Sequence, residues 1–109
     1  MMRTVMFASI LATSASTANA QDTSGDPEAG RVFARQVCSP CHAVTAEQAS
    51  QRVIAIGPDF QTIANTPGMN SAALTAALRT SHESMPNIII KGSDLSDVIA
   101  YILSLRKNR

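Results

Sequence analysis

The chain has 109 residues, of which 45% are hydrophobic, and its 9 basic and 8 acidic side chains nearly balance. This length predicts one small domain with a modest hydrophobic core. The balance of charge gives no indication of a nucleic-acid partner or of a strongly polarised docking surface.

Residues 1–20 carry the pattern of an export signal. Arg3 supplies a positive charge, a short apolar run covers residues 5–12, and a small-x-small cleavage site ends at Ala20. We therefore expect cleavage after Ala20 and a mature domain over residues 21–109. An uncleaved membrane anchor is the alternative, but the apolar run is much shorter than the roughly 20 residues of a spanning helix.

A first helix is predicted to begin directly after Asp26. Asp26 is a suitable N-cap, Pro27 suits the first helical position, and Glu28 adds a carboxylate to the first turn. Apolar side chains at helical spacing then lead to Cys38. The helix should therefore present residues 38–42 at its C-terminal end.

Residues 38–42 read Cys-Ser-Pro-Cys-His, which is the attachment pattern of a c-type haem. The thiols of Cys38 and Cys41 can each form a thioether with one vinyl group of the same porphyrin. The imidazole of His42 then lies beside the ring, where it can ligate the iron. The sequence holds no other cysteine, so no separate disulfide framework is possible. The pattern predicts one covalently bound haem c.

Three other interpretations of these cysteines are weaker. A disulfide across so short a loop would constrain little of the unfolded chain. A thioredoxin-like dithiol needs a βαβ context, which the sequence lacks. A zinc site would require His82 as its fourth ligand, and the adjacency of Cys41 and His42 suits a closed tetrahedron poorly.

The middle of the chain is weakly patterned. Residues 43–56 contain few strong apolar positions, so we expect a loop with at most one helical turn. A Gly-Pro pair at 57–58 breaks the chain. Residues 59–65 are then predicted to form a short helix that buries Phe60 and Ile63.

A turn over residues 66–68 is predicted to precede a further helix. Asn70 or Ser71 can cap this helix, which should end near residues 80–82. Three apolar residues share one of its faces: Leu74, Ala77 and Leu78.

The last helix has the clearest pattern, with Ser93 or Asp94 as its predicted cap. Five apolar residues follow at i, i+3, i+4, i+7 and i+8: Leu95, Val98, Ile99, Ile102 and Leu103. The basic residues near the end of the chain are predicted to complement the negative C-terminus of this helix: Arg106, Lys107 and Arg109. No alternating strand pattern is present, so the domain is predicted to be all-α.

Met85 is the candidate for a second iron ligand. It lies in a non-helical stretch before Pro86, which lacks a backbone N–H. Its soft, neutral thioether would favour ferrous iron and raise the reduction potential. The alternative is that Met85 fills the core. His82 is the rival ligand and would lower the potential, whereas Met69 lies in a turn and offers little competition.

Taken in order, these motifs resemble those of a small bacterial class I, or mitochondrial-type, c-type cytochrome. The resemblance extends over residues 26–106 and rests on Gly30, Phe33, the Cys-Ser-Pro-Cys-His motif, Gly57-Pro58, Met85-Pro86 and Tyr101. It implies a cytochrome c-like fold of three to five helices wrapped around one covalently bound haem. The first and last helices would cross closely at Gly30, where Phe33 and Tyr101 approach each other.

The resemblance also implies roles for residues around the haem. The carbonyl of Pro58 would accept a hydrogen bond from His42 Nδ1 and so orient the imidazole. The sequence contains no Trp, which is a common donor to the haem propionates in this family. Arg52 and Asn65 are the candidates for that role.

The function implied by the resemblance is single-electron transfer, not catalysis. We expect an exported, periplasmic monomer that does not span the membrane once its signal is removed. It would shuttle electrons between a respiratory membrane oxidoreductase and an oxidase, reductase or dehydrogenase. A haem enzyme or gas-binding sensor with an exchangeable sixth position is one alternative, and a haem-free thiol–disulfide protein is another.

Overall fold

The computed structural model describes residues 24–51, 56–80, 85 and 88–107. Five helices follow one another in this part of the chain: α1 (Pro27–Val37), α2 (Ala46–Gln51), α3 (Phe60–Ala64), α4 (Ser71–Arg79) and α5 (Ser93–Ser104). No β-strand occurs in the same ranges, so the predicted all-α fold is confirmed. The predicted export signal at residues 1–20 lies outside the described residues.

Helix α1 begins and ends as its sequence predicts. The side chain of Asp26 accepts hydrogen bonds from the backbone N–H groups of Glu28 and Ala29, at 2.9 and 3.4 Å. At the other end, Cys38 is the C-cap, and its N–H donates to Ala34 O at 2.8 Å. The first cysteine of the motif is therefore fixed by the geometry of a helix end.

Helices α1 and α5 form the most extensive helix pair in the described chain. A Cβ atom placed on Gly30 would lie 1.9 Å from Asp97 O and 2.9 Å from Tyr101 Cβ, so no side chain fits there. The N–H of Asp26 also donates to Asp97 Oδ1 at 2.8 Å, which joins the start of α1 to α5. The two backbones can approach this closely because position 30 is glycine.

The core lies between α5 and the shorter elements. Nine buried residues form it: Ala34, Val44, Phe60, Ala64, Leu74, Val98, Ile99, Tyr101 and Ile102. The predicted stripe of α5 supplies three of them, and Leu95 and Leu103 pack at its margin. Each fully buried aliphatic or aromatic side chain contributes roughly 1.5–3 kcal/mol.

Helices α3 and α4 agree with the predicted boundaries. Asp59 caps α3 by accepting a hydrogen bond from the N–H of Thr62 at 2.7 Å. Asn70 caps α4 in the same way, with the N–H of Ala73 at 2.8 Å. Of the two candidate caps for α4, Asn70 is thus the one used.

Helix α2 is longer than predicted, and the expectation of at most one turn was wrong. Thr45 Oγ1 accepts a hydrogen bond from the N–H of Gln48 at 3.3 Å, while Gln48 Oε1 accepts one from the N–H of Val44 at 2.9 Å. This reciprocal pairing closely resembles a capping box. The helix buries none of its residues, which explains why its apolar pattern gave no signal.

The predicted cap of α5 was also wrong. Gly92 occupies the N-cap position with φ 59° and ψ −135°, and no side chain caps the helix. Ser93 and Asp94 lie inside the first turn instead. A glycine is suited to this position because φ is positive, which other residues rarely adopt.

Arg106 does not serve α5 as predicted, and Arg109 lies outside the described residues. Arg106 lies beyond that helix, and its guanidinium donates to Ala64 O at the C-terminus of α3 and to Met69 O. The N–H of Lys107 donates to Asn65 Oδ1 at 3.0 Å. The segment after α5 therefore fastens the connection between α3 and α4.

Candidate functional site

One apolar cavity brings together the residues singled out in the sequence. It has a volume of about 290 Å³. Its lining comprises Cys38, Cys41, His42, Ile56, Gly57, Pro58, Phe60, Ile63, Met69, Leu74, Ala77, Leu78, Met85, Val98 and Ile102. A larger cleft of about 640 Å³ between residues 64–70 and 106–107 contains no thiol or imidazole, so it does not compete as a haem site.

The Cys-Ser-Pro-Cys-His segment reaches the cavity because it turns sharply at the end of α1. The N–H groups of Cys41 and His42 both donate to Cys38 O, at 3.1 and 2.9 Å. The chain therefore folds back over its first cysteine. Both sulfur-bearing side chains and the imidazole are half-buried along the same cavity.

The environment of the Cys38 thiol is poorly suited to rapid disulfide exchange. Neither Cys38 nor Cys41 forms a disulfide. Burial, with a smaller effect from the charge of Cys41, raises the pKa of the Cys38 thiol to about 11. A thioredoxin-like dithiol depends on a lowered thiol pKa, so this environment disfavours that alternative.

The imidazole of His42 is held in one orientation. Its Nδ1–H donates to the carbonyl oxygen of Pro58 at 2.7 Å. A ring that donates from Nδ1 in its neutral form has Nε2 available as an electron-pair donor. His42 can therefore serve as a metal ligand through Nε2, with Pro58 as its orienting partner.

Two methionines line the cavity, and the sequence argument anticipated one of them. Met85 is half-buried and lies in the same cavity as His42. Met69 also lines it, although its place in a turn had suggested no role at the site. His82, the rival ligand, and Arg52, a propionate candidate, lie outside the described residues.

Asn65 does not lie along this cavity. Its Oδ1 accepts a hydrogen bond from the N–H of Lys107 at 3.0 Å, beside the larger cleft. The structure therefore gives Asn65 a role in joining the chain end to the α3–α4 connection.

The rest of the cavity wall is apolar and comes from distant parts of the chain. Leu74, Ala77 and Leu78 extend from α4, whereas Val98 and Ile102 extend from α5. Ile56 completes the wall with 66% of its surface exposed. The wall is therefore mostly apolar, and Ile56 is a part of it that solvent can reach.

The described residues contain no group of three or more His, Cys, Asp or Glu side chains arranged to hold a metal ion. The zinc alternative also needs His82, which lies outside the described residues. The potential ligands that line the cavity are the imidazole of His42 and the thioethers of Met69 and Met85, beside two thiols. That combination fits an iron porphyrin with covalent anchors: Cys38 and Cys41 would hold the ring, and His42 and Met85 would hold the iron.

Comparison with known proteins supports this interpretation of the site. No family model matches the chain, and no solved structure matches it. The chain is similar to cytochrome c-552 of Bradyrhizobium diazoefficiens, with 32% identity over 97 residues. The aligned region covers 89% of this chain and 89% of that protein. A similarity of this level and extent establishes membership of a common family.

Proposed function

We propose a function that starts from one established premise: the chain belongs to the small c-type cytochromes. Membership supports electron transfer through covalently bound haem c as the general function. The specific proposal is that the chain is a periplasmic carrier of single electrons with one haem c. Cys38 and Cys41 attach the haem, and His42 and Met85 ligate its iron.

The observation that carries the proposal is the meeting of four side chains in one apolar cavity: Cys38, Cys41, His42 and Met85. Two thiols are the chemical requirement for two thioether anchors. The imidazole and the thioether are a ligand pair typical of electron-carrying c-type haems. Each of the two proposed anchors and each of the two proposed iron ligands is thus supplied by a different side chain.

When bound, the haem supplies the one-electron couple of its iron. The protein residues then set the conditions for that couple. The thioether of Met85 favours the ferrous state, and the apolar wall around Leu74 and Val98 disfavours additional charge on the iron. Both effects raise the reduction potential. If His42 and Met85 hold the iron in both oxidation states, electron transfer would need little rearrangement of these side chains.

The proposed location is the periplasm. The pattern of residues 1–20 supports export with cleavage after Ala20. Among the residues that the structure describes, none of the helices has the length and hydropathy of a membrane span. The proposed carrier is a monomer that meets its partners by diffusion.

The proposed partners are redox proteins: a membrane oxidoreductase on one side and an oxidase, reductase or dehydrogenase on the other. Basic and acidic residues are equal in number once Arg3 is removed with the signal. Long-range steering should therefore be weak, and added salt should change the rate of electron transfer modestly. A steep decrease in rate with salt would contradict this part of the proposal.

The decisive test measures haem attachment and iron ligation in protein purified from a host that matures c-type cytochromes. We expect a pyridine haemochrome spectrum from haem that remains with the denatured chain. We also expect slow or absent binding of carbon monoxide to the reduced protein at neutral pH, because Met85 occupies the sixth position. Rapid and complete carbon monoxide binding would instead indicate a haem enzyme or gas sensor.

A further inference from the structure

Two segments beside the cavity are joined in a way that holds the His42 ring from several sides. These segments are residues 41–43, which comprise the end of the haem-attachment motif and the residue after it, and residues 57–60. Three hydrogen bonds join them: Gly57 N–H to Cys41 O at 2.9 Å, His42 Nδ1–H to Pro58 O at 2.7 Å, and Phe60 N–H to Ala43 O at 2.9 Å. The imidazole is therefore anchored within a continuous set of backbone contacts.

Gly57 lies against the imidazole and leaves no room for a side chain. A Cβ atom at this position would lie 2.5 Å from His42 Cε1 and 2.8 Å from Nδ1. Positive φ among the described glycines occurs at Gly68 and Gly92, so Gly57 is needed for space and not for backbone conformation. The ring could yield to a side chain here only by changing the Nδ1 hydrogen bond to Pro58.

Phe60 packs against the same imidazole from another side. The two ring centroids are 5.6 Å apart, with an interplanar angle of 52°. Phe60 is itself buried and packs on Tyr101, with centroids 6.3 Å apart. The hydroxyl of Tyr101 donates to Val44 O at 2.5 Å. Phe60 therefore rests on a fixed neighbour from α5 and cannot easily move away from His42.

We propose that Gly57 and Phe60 are positioning residues that set the plane of the His42 imidazole. The inference rests on the proposed function, in which His42 ligates the haem iron. An Nδ1–H group that donates to a carbonyl makes the imidazole a more basic ligand. A more basic ligand stabilises ferric iron, so weakening the bond to Pro58 raises the reduction potential.

The test compares two glycine variants of the haem-loaded protein. Gly57→Ala pushes on the imidazole, whereas Gly30→Ala pushes α1 away from α5 and does not touch His42. We expect Gly57→Ala to raise the reduction potential and to alter the electron paramagnetic resonance g-values of the ferric protein. Gly30→Ala should lower the Tm while leaving the potential and the g-values at their wild-type values.

A second pair tests the aromatic contact. Phe60→Leu removes the ring that packs against His42, and Phe33→Leu removes a half-buried ring that packs on the core away from the cavity. Both variants should lose stability. Phe60→Leu alone should also shift the g-values. If Gly57→Ala gives no loaded protein, this phenylalanine pair decides the question.

The result that would overturn the inference is specific. In that result, wild-type protein contains thioether-bound haem, but Phe60→Leu has the same reduction potential and g-values as Phe33→Leu. Any haem-loaded Gly57→Ala protein likewise matches Gly30→Ala. Wild-type protein without thioether-bound haem would instead overturn the proposed function. A pyridine haemochrome assay on each preparation separates the two results.

Discussion

The α1–α5 pair and the haem cavity are built in different ways. The pair consists of two regular helices whose contact is sealed at Gly30 by backbone atoms. The cavity is lined by side chains from α3, α4 and α5 and from connecting segments, and Ile56 in its wall remains 66% exposed. The helix pair therefore buries its own surface, whereas the cavity wall needs a large apolar group to cover it.

This difference separates two kinds of residue. Substitutions at the α1–α5 contact should change the stability of the protein with little effect on the iron. Substitutions along the cavity should change the iron ligation, and they should change stability through the haem.

His42→Ala should remove the proximal ligand and prevent accumulation of stable haem-loaded protein. The reason is that the motif supplies its nitrogen ligand from this side chain alone. Haem content per chain, measured by pyridine haemochrome, checks the result. His82→Ala is the matched control and should load normally. Normal loading of His42→Ala would contradict the ligand assignment.

Gly30→Ala should destabilise the helix pair by about 3 kcal/mol, since overpacking of close backbones outweighs the better helix propensity of alanine. Thermal or denaturant unfolding of the loaded protein measures this loss. Gly68→Ala is the control, because it should lose stability through backbone strain and not through overpacking. Its Cβ would meet no atom within 4 Å, and its φ of 76° should cost about 1 kcal/mol. Equal losses for both variants would argue against a sealed α1–α5 contact.

Met85→Ala should leave the haem attached, open the sixth position and lower the reduction potential. Truncation of a methionine that packs in the cavity should also cost about 2 kcal/mol of stability. Potentiometry and the far-red charge-transfer band of the ferric protein check both ligation and potential. Met69→Leu keeps a similar volume in the same cavity and should retain the band. A band that survives in Met85→Ala would refute its role as a ligand.

Asp26→Ala should cost about 1 kcal/mol, because the N–H groups of Glu28 and Ala29 lose their cap. The visible spectrum should not change, since this cap lies at the end of α1 remote from Cys38. Asp94→Ala is the control: Asp94 lies in the first turn of α5 but does not cap it. Denaturant unfolding should distinguish the two variants. A shift in the haem spectrum of Asp26→Ala would show that the two regions are coupled.

The sequence predicts this protein best where its signals are local. Asp26 and Asn70 cap their helices through neighbours two or three residues away, so their roles follow from short patterns. The same local information predicted that α1 presents residues 38–42 at its C-terminal end. Helix α2 was missed because it buries no residue, although Thr45 and Gln48 were a detectable capping signal.

The remaining features depend on contacts between distant residues. Nothing in the neighbourhood of Met69 indicates that it reaches the cavity, since α4 and α5 complete that wall. The role of Arg106 likewise depends on the carbonyl groups of Ala64 and Met69. The contact between Gly57 and His42 forms only when the chain around residue 57 folds back onto the Cys-Ser-Pro-Cys-His motif. Pairings of this kind are not encoded in a local pattern.

The most direct test of the account is the absorption spectrum of the purified protein in both oxidation states, before and after denaturation. We predict a haem that stays with the denatured chain and a ferric far-red band that depends on Met85. Colourless protein from a maturation-competent host, with both Cys38 and Cys41 open to alkylation, would contradict it.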